Sequence, residues 1–277
     1  MMPIAAMRLR NSIGGTGWSI LDLPVPPTIV CDHLSVMENS GGLVTKFNDR
    51  AGANNYFTGV NSPVYVASAV NGYPAVRGTG SDTKQLNNAL GQGALGTYNN
   101  ASQGWLFCIY KLNGTSGTTS RIPIFVSTNV NTTTRLAIFS DGTTGAGKPV
   151  MFVRRLDGDS AVSIVGPAAL NDGNFHMLMA WMNWGTREGR LYIDGNSPTV
   201  NTTLTPAAGN TSATDSGAIR MVSHGGASSI DGDIAAGVFG TTLPSDADVD
   251  RIFGYYAHQF ALTANLPSGH PYKTSPP

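Results

Sequence analysis

The sequence predicts an all-β protein: a two-sheet β-sandwich with one short C-terminal helix, preceded by an extended N-terminal arm. The chain of 277 residues contains about a dozen short apolar or alternating segments separated by turn residues. Only residues 245–260 place apolar side chains at helical spacing. Residues 1–27 show neither pattern, and we expect them to form the arm.

Composition narrows the class of protein. Charged residues make up 12% of the chain, about half the usual share, and 17 basic residues balance 17 acidic ones. This balance gives no electrostatic support for binding nucleic acid or an anionic membrane. A hydrophobic content of 41% is enough for a full core. No apolar run approaches the roughly 20 residues that span a bilayer, so we expect no membrane span.

The first 27 residues combine glycines, at 14, 15 and 17, with prolines at 24, 26 and 27. This composition predicts an extended segment that ends in a polyproline-like stretch. Two interpretations remain open: a flexible terminus, or an arm that docks on a neighbouring subunit. The first residues lack the charged and then continuously apolar pattern of a secretory signal.

The strand candidates are short runs bounded by turn residues. Asp-Gly pairs at 141, 157, 172, 194 and 231 supply many of the turns. The predicted strands are 43–48, 64–67, 75–77, 104–111, 121–127, 135–140, 150–155, 160–165, 175–183, 190–194, 218–222 and 232–240. So many short strands with almost no helix indicate a sandwich.

The predicted helix has its own start signal. Ser245 can cap it, and Asp246 and Asp248 lie near its positive end. Its apolar positions lie three or four residues apart, at 249, 252, 253, 256 and 260. We therefore expect one face of this helix to pack on the sandwich.

Three parts of the chain resemble one known superfamily. They are residues 40–56 with 70–80, residues 171–184 running into 189–195, and the closing segment from Ile230. Together they are similar to concanavalin A-like lectin/glucanase domains in their laminin-G-like form. The resemblance implies a single jelly-roll sandwich over residues 28–277, after an arm over residues 1–27.

The closing segment is similar to one found in uncharacterised bacterial proteins and tailed-phage structural proteins. Those segments read close to G-Y-(aromatic or Leu)-A-H-x-(aromatic)-x-L, followed by L-P-x-x-H-P-Y. Gln259 and Phe260 replace the common Lys-Trp pair. The matching residues that we interpret as a structural latch are Gly254, Tyr255, His258, His270, Pro271 and Tyr272.

Catalytic patterns are missing from the sequence. Glucanases of the superfamily use paired carboxylates about 5 Å apart in an E-x-D-x-x-E-like strand. The only glutamates here, Glu38 and Glu188, are isolated, and we place them in different loops. No Ser-His-Asp pattern or zinc-like histidine spacing occurs. We expect a protein that is not an enzyme.

Two kinds of binding residue are candidates. Loop carboxylates could hold calcium, as in some laminin-G-like domains, or could be ordinary turn and strand-edge residues; they are Asp157, Asp159, Asp231 and Asp233. Glycan binding needs an exposed aromatic ring, for which Trp184 and Tyr98 are candidates beside loops 112–120, 129–134 and 201–216. Trp105 and Trp181 are predicted to be core residues.

The resemblance implies a non-enzymatic structural or adhesion protein of a phage virion: a fibre, a tail appendage or a capsid decoration. Expected partners are other virion proteins, further copies of the chain and host surface glycans. The alternative is a secreted or surface bacterial domain that binds or hydrolyses glycans. Cys31 and Cys108, both in apolar stretches, are predicted to be buried free thiols rather than a disulfide.

Overall fold

The computed structural model describes residues 17–52, 56–80, 83–88, 98–113, 122–126, 134–141, 147–213, 219–223 and 229–277. In these ranges the chain forms 17 strands, one α-helix and two short 3-10 helices. The strands are β1 (Ile29–Cys31), β2 (Met37–Ser40), β3 (Leu43–Asn48), β4 (Tyr56–Val60), β5 (Val64–Val70), β6 (Tyr73–Thr79), β7 (Gln85–Asn88), β8 (Gln103–Leu112), β9 (Ile122–Val126), β10 (Leu136–Asp141), β11 (Lys148–Val153), β12 (Val162–Val165), β13 (Phe175–Asn183), β14 (Glu188–Ile193), β15 (Thr199–Asn201), β16 (Arg220–Met221) and β17 (Asp231–Gly240). The helix α1 is Asp246–Gln259.

The strands form two antiparallel layers. The first sheet has the order β15-β14-β13-β8-β17-β6-β5, and β1 pairs with the second half of β17. The second sheet has the order β12-β11-β10-β9-β16-β7-β4-β3-β2. One residue pair, Leu43 with Val64, joins the two ladders through β3 and β5. The predicted all-β sandwich is confirmed.

Two apolar cores lie on opposite faces of the first sheet. The inner core fills the space between the sheets, where Leu106 and Leu178 face Phe57 and Met151. The outer core lies on the other face and includes Phe107 and other large side chains packed under α1. Consequently β8, β13 and β17 are buried along nearly their whole length on both faces.

The helix forms where the sequence predicts it. The Ser245 side chain accepts a hydrogen bond from the backbone N–H of Asp248 at 3.2 Å, as an N-cap does. The Tyr256 ring stacks on Phe107 of β8 with centroids 4.8 Å apart. The helix therefore covers the outer face of the first sheet.

Strand prediction succeeds for long apolar segments and fails for short polar ones. Each of the twelve predicted segments overlaps an observed strand, and β13 has the predicted bounds. The strands β1, β2, β4, β7 and β15 were not predicted, because runs such as Gln85–Asn88 carry little apolar alternation. Glu38 and Glu188 lie in β2 and β14, so their predicted placement in loops is wrong.

Residues 17–27 of the predicted arm pack on the domain itself. Ile20 is buried in the outer core. The Trp18 ring meets Tyr255 of α1 edge-on, with centroids 5.3 Å apart. Arg50 donates a hydrogen bond to the Ser19 hydroxyl at 3.4 Å. Residues 1–16, the first part of the predicted arm, lie outside the described ranges, and docking of the arm on another subunit stays a prediction.

Both cysteines are free and buried, as predicted. Cys31 and Cys108 pair in register with opposite sides of the same residue, Gly237 of β17. Two strand spacings, roughly 9–10 Å, therefore separate their Cα atoms. A disulfide needs a Cα separation of about 4.4–6.8 Å, so the intervening strand excludes the bridge. Among the helices that the structure describes, none has the length and apolar character to cross a membrane.

Candidate functional site

The predicted glycan-stacking residues are not exposed. Trp184 and Tyr98 both have 0% exposure, and their rings contact each other with centroids 5.3 Å apart. The Tyr98 hydroxyl donates to the Trp105 carbonyl at 3.0 Å, and Trp184 Nε1 donates to the Arg154 carbonyl at 3.2 Å. The prediction that either ring is open to a sugar is wrong. Residues 114–120, 129–133 and 214–216 of the predicted loops lie outside the described ranges.

The glycine at the start of β8 explains why Tyr98 is internal. A Cβ atom on Gly104 would lie 2.1 Å from Cε1 of the Tyr98 ring. The missing side chain therefore creates the space that the ring occupies. From the sequence, Tyr98 and Trp184 only appeared to border polar loops.

Three of the four predicted calcium ligands pair with basic side chains of the chain itself. Arg77 binds Asp233 through two hydrogen bonds of 2.6 and 2.9 Å, and Lys111 lies 3.0 Å from the same carboxylate. Burial raises the pKa of Asp233, but these hydrogen bonds outweigh it and hold that pKa below its ordinary value. Asp233 therefore serves as the partner of two basic side chains.

The other predicted metal ligands are dispersed. Asp157 pairs with Arg135, and Asp159 lies 3.7 Å from Arg155. Asp231 begins β17 opposite Thr79. Within the described ranges, no three histidine, cysteine or acidic side chains are grouped as metal ligands. The sequence-predicted calcium ligands are not brought together.

Four of the six predicted latch residues meet where the C-terminal tail crosses α1. A Cβ on Gly254 would lie 2.4 Å from Cβ of Tyr272, so the tail packs directly on the helix backbone. His258 Nε2 lies 2.9 Å from the Tyr272 carbonyl, and the Tyr272 N–H donates to His270 Nδ1 at 3.2 Å. Lys273 then donates to three backbone carbonyls, at 263, 264 and 266.

The remaining two latch residues lie elsewhere. Tyr255 packs against Trp18 and His33. Pro271 is exposed. The helix α1 and this tail pack on the outer face of the first sheet, which ends at the edge formed by β14 and β15.

A cleft lies at that edge, between the first turn of α1 and strands β14 and β15. Its volume is about 500 Å³. We call it the Arg190 cleft. It is lined by Glu188, Arg190 and Tyr192 of β14, by residues 195–198 and Val200, and by Asp246, Val249 and Asp250.

Arg190 is held rigidly in the cleft. Its Nε donates to Glu188 at 2.6 Å, and its Nη1 donates to Asp246 at 2.7 Å and to the Tyr192 hydroxyl at 3.3 Å. Its guanidinium lies 4.6 Å from the Trp181 ring. Within the described part of the chain, no bond uses its Nη2 atom, so this donor remains available to a ligand.

The rest of the cleft supplies acceptors and an apolar surface. Asp250 lines it beside Asp246. The pKa of Asp250 is raised, chiefly because burial disfavours its charged form. Val200 is 49% exposed on the other side. Guanidinium and carboxylate groups thus alternate next to an apolar contact, an arrangement that suits a polyol with one hydrophobic face.

Sequence reasoning missed most of this site. Asp246 was assigned only to the helix end, and Glu188 was judged isolated. Arg190 lies opposite Trp181 in the β13–β14 register, and this pairing creates the stacked guanidinium. The alternation of Glu188, Arg190 and Tyr192 on one strand face was the available signal. The sequence contains no signal that α1 lies over that face.

No protein-family model matches the chain, and no curated protein sequence matches it. Solved structures are similar in fold. The binding domain of botulinum neurotoxin serotype D has a TM-score of 0.53 at 12% identity, covering 80% of this chain and 50% of that chain. The chain thus spans about half the length of that toxin domain.

Two further structures are similar. Domain 4 of AbnA, a GH43 extracellular arabinanase from Geobacillus stearothermophilus in complex with arabinotriose, has a TM-score of 0.52 at 12% identity, covering 80% of this chain and 97% of that one. Trypanosoma rangeli sialidase has a TM-score of 0.51 at 11% identity, covering 84% of this chain and 33% of that one. At such identities the similarity shows the fold alone, an all-β lectin-like sandwich.

Proposed function

We propose that this chain is a non-enzymatic glycan-binding module and that saccharide hydroxyls bind in the Arg190 cleft. The observation that carries the proposal is the preorganised guanidinium of Arg190 between two carboxylates, with Nη2 free. A vicinal diol needs adjacent donors and acceptors, and Arg190 with Asp246 and Asp250 provides them. Val200 offers a surface for the apolar face of the sugar ring.

The comparisons support this choice of ligand class. The AbnA domain carries arabinotriose, and one serotype D toxin domain is in complex with N-acetylneuraminic acid. These ligands belong to those proteins. The AbnA domain gives the stronger support, because 97% of that chain is covered by the similarity.

The non-enzymatic part rests on the pairing of the carboxylates. A glycosidase needs one carboxyl as general acid and a second as base or nucleophile. Glu188 and Asp246 each bind the Arg190 guanidinium through one carboxylate oxygen. Burial raises the pKa of Asp250, as a general acid requires. It therefore becomes the residue to test for hydrolysis.

The biological setting is proposed from the sequence resemblance of the closing segment. In this proposal the chain is a virion component of a tailed phage, assembled as a homo-oligomer with other virion proteins and presenting the cleft to host glycans. Antibodies against the chain should label purified phage particles. Labelling of the bacterial surface or the medium alone would favour the secreted or surface bacterial alternative.

Arg190→Gln tests the cleft on a panel of neutral plant and bacterial glycans. We expect binding to fall about tenfold or more, the scale of a lost charge-assisted hydrogen bond. Arg251→Gln is the control, because it removes the same charge from α1 at a residue that does not line the cleft. Matching melting temperatures would show that all variants fold.

Two results would contradict the proposal. Absence of binding to every glycan, or equal binding by wild type and Arg190→Gln, would exclude the cleft as the site. Release of reducing ends from a bound glycan, lost in Asp250→Asn, would show that the chain is an enzyme.

A further inference from the structure

The outer face of the second sheet carries a straight line of polar side chains. The strand registers pair Lys46 with Thr58, Thr58 with Asn87, and Asn87 with Arg220. Because neighbouring strands are about 4.8 Å apart, these four positions span roughly 14 Å. We call them the Arg220 row. A residue adjacent in sequence to each of the four belongs to the inner core: Phe47, Phe57, Leu86 and Met221.

Arg220 is buried without a partner for part of its guanidinium. Its residue exposure is 8%, and among the residues that the structure describes its Nε and Nη1 atoms have no hydrogen-bond partner. Asn87 Oδ1, next to it in the row, is also buried and unpaired. An unpaired buried polar group costs free energy, and a charged one costs more.

Three other arginines of the described structure are paired with acids. Arg50 binds Asp32, Arg77 binds Asp233, and Arg190 binds Glu188. Arg220 forms no ion pair with any described carboxylate, and burial lowers the pKa of its guanidinium. Arg220 therefore differs from these three arginines.

Arg135 adds no free charge to this face, because it is fully buried and paired with Asp157. At the other end of the row, Lys46 Nζ lies 4.5 Å from the centroid of the half-buried Tyr56 ring. Glu38 is opposite Lys46 in register, but its carboxylate accepts from the Asn48 amide instead.

We propose that the Arg220 row is a second binding site, which takes a saccharide bearing carboxylate or sulfate groups. The guanidinium of Arg220 can bind an acidic group through two parallel hydrogen bonds from one edge of its fork, either Nε with Nη2 or Nη1 with Nη2. Asn87 and Thr58 bind hydroxyls along the row. Lys46 binds a second acidic group, and Tyr56 supplies a ring face at the open end. This site is independent of the Arg190 cleft, which lies at the edge of the other sheet.

Arg220→Met is the primary test, since Met keeps the length of the side chain and removes its charge. Polygalacturonate supplies carboxylates, dextran sulfate supplies sulfates, and neutral dextran is the reference. We expect wild type to bind at least one polyanion, more weakly as salt is added, and not to bind dextran. Arg220→Met should weaken that binding about tenfold or more. Its melting temperature should equal or exceed that of wild type, because an unpaired buried charge is removed.

Control variants separate this site from general charge and from the cleft. Arg251→Gln removes the same charge on the opposite side of the molecule, and it should bind polyanions as wild type does. Arg190→Gln should also bind polyanions as wild type does. The proposal for the Arg220 row would therefore remain valid if the proposal for the Arg190 cleft failed. Lys46→Gln changes an accessible residue and should also weaken binding.

Several results would overturn the proposal. They are absence of polyanion binding by wild type, an equal loss in Arg251→Gln, and a folded Arg220→Met that binds normally. If Arg220→Met does not fold, the unpaired guanidinium has a structural role. In that case unchanged binding by Lys46→Gln would also reject the site, whereas a specific loss in Lys46→Gln would retain it. The preferred polyanion identifies the acidic group.

Discussion

At the scale of single residues, two buried histidines have environments of opposite character. His176 lies between two carboxylates, with Nδ1 2.7 Å from Asp194 and Nε2 3.1 Å from Asp172. Burial lowers the pKa of His176, but the hydrogen bonds and charges of both aspartates outweigh it and raise that pKa overall. His33 lies among aromatic rings, and burial lowers its pKa.

His176→Gln should change how stability depends on pH. The folded-state pKa of His176 is above that of the unfolded chain, so protonated His176 stabilises the fold fully below about pH 6.5. This contribution disappears as pH rises through the folded-state pKa. We expect the free energy of unfolding of wild type to exceed that of the variant by about 1–3 kcal/mol at pH 5, measured by urea unfolding. This difference should shrink at higher pH.

His33→Phe provides a comparison with the opposite sign. Because the pKa of His33 is lowered, the native state loses stability as falling pH forces protonation of this residue. The free energy of unfolding of wild type should therefore fall relative to that of His33→Phe as the pH is lowered. If the His176→Gln difference instead grew with pH, the assignment of His176 as a charged partner of the aspartates would be wrong.

At the scale of elements, α1 is fixed from both sides. Tyr256 stacks on β8 below it, while the tail crosses above it at Gly254. Asn265, just beyond the helix, donates to the Phe175 carbonyl of β13 at 2.8 Å. The helix also carries Asp246 and Asp250, so this attachment sets the width of the Arg190 cleft.

Gly254→Ala should loosen the tail. Alanine is the better helix former by about 1 kcal/mol, but its Cβ would overlap Tyr272, and overpacking typically costs about 1–3 kcal/mol. We expect net destabilisation, with a lower melting temperature. Gly269→Ala is the matched control, because a Cβ there meets no atom within 4 Å. A stabilised Gly254→Ala would show that the tail does not press on the helix.

The sequence predicted elements better than contacts between them. The apolar run at β13 and the Ser245 cap depend on local pattern, and both appear as predicted. The exposure of Trp184 depends on how Gly104 admits Tyr98, which is a tertiary effect. The neighbours of Arg190 and Arg220 are likewise set by strand register, since they lie on adjacent strands. Local periodicity contains no information about which strands pair.

At the scale of the whole molecule, the thiols report on global unfolding. Cys31 and Cys108 are both fully buried in the inner core, and burial raises the pKa of each thiol. Neither should react until the two sheets separate.

We expect no labelling by a thiol-specific disulfide reagent under native conditions, and two equivalents after denaturation. In intermediate urea, both cysteines should react with the same dependence on global stability. Selective labelling of Cys31 in native buffer would show that the edge strand β1 detaches on its own.

The position of β17 has a consequence for synthesis of the protein on the ribosome. This strand, at Asp231–Gly240, lies between β8 on one side and β6 with β1 on the other. Until it emerges, β8 and β6 each present an open, largely apolar edge, and such edges recruit other chains. A nascent chain that stops before residue 231 therefore lacks the centre of its first sheet. We expect such truncated products to aggregate or to depend on chaperones, whereas loss of the short edge strand β15 should be tolerated far better.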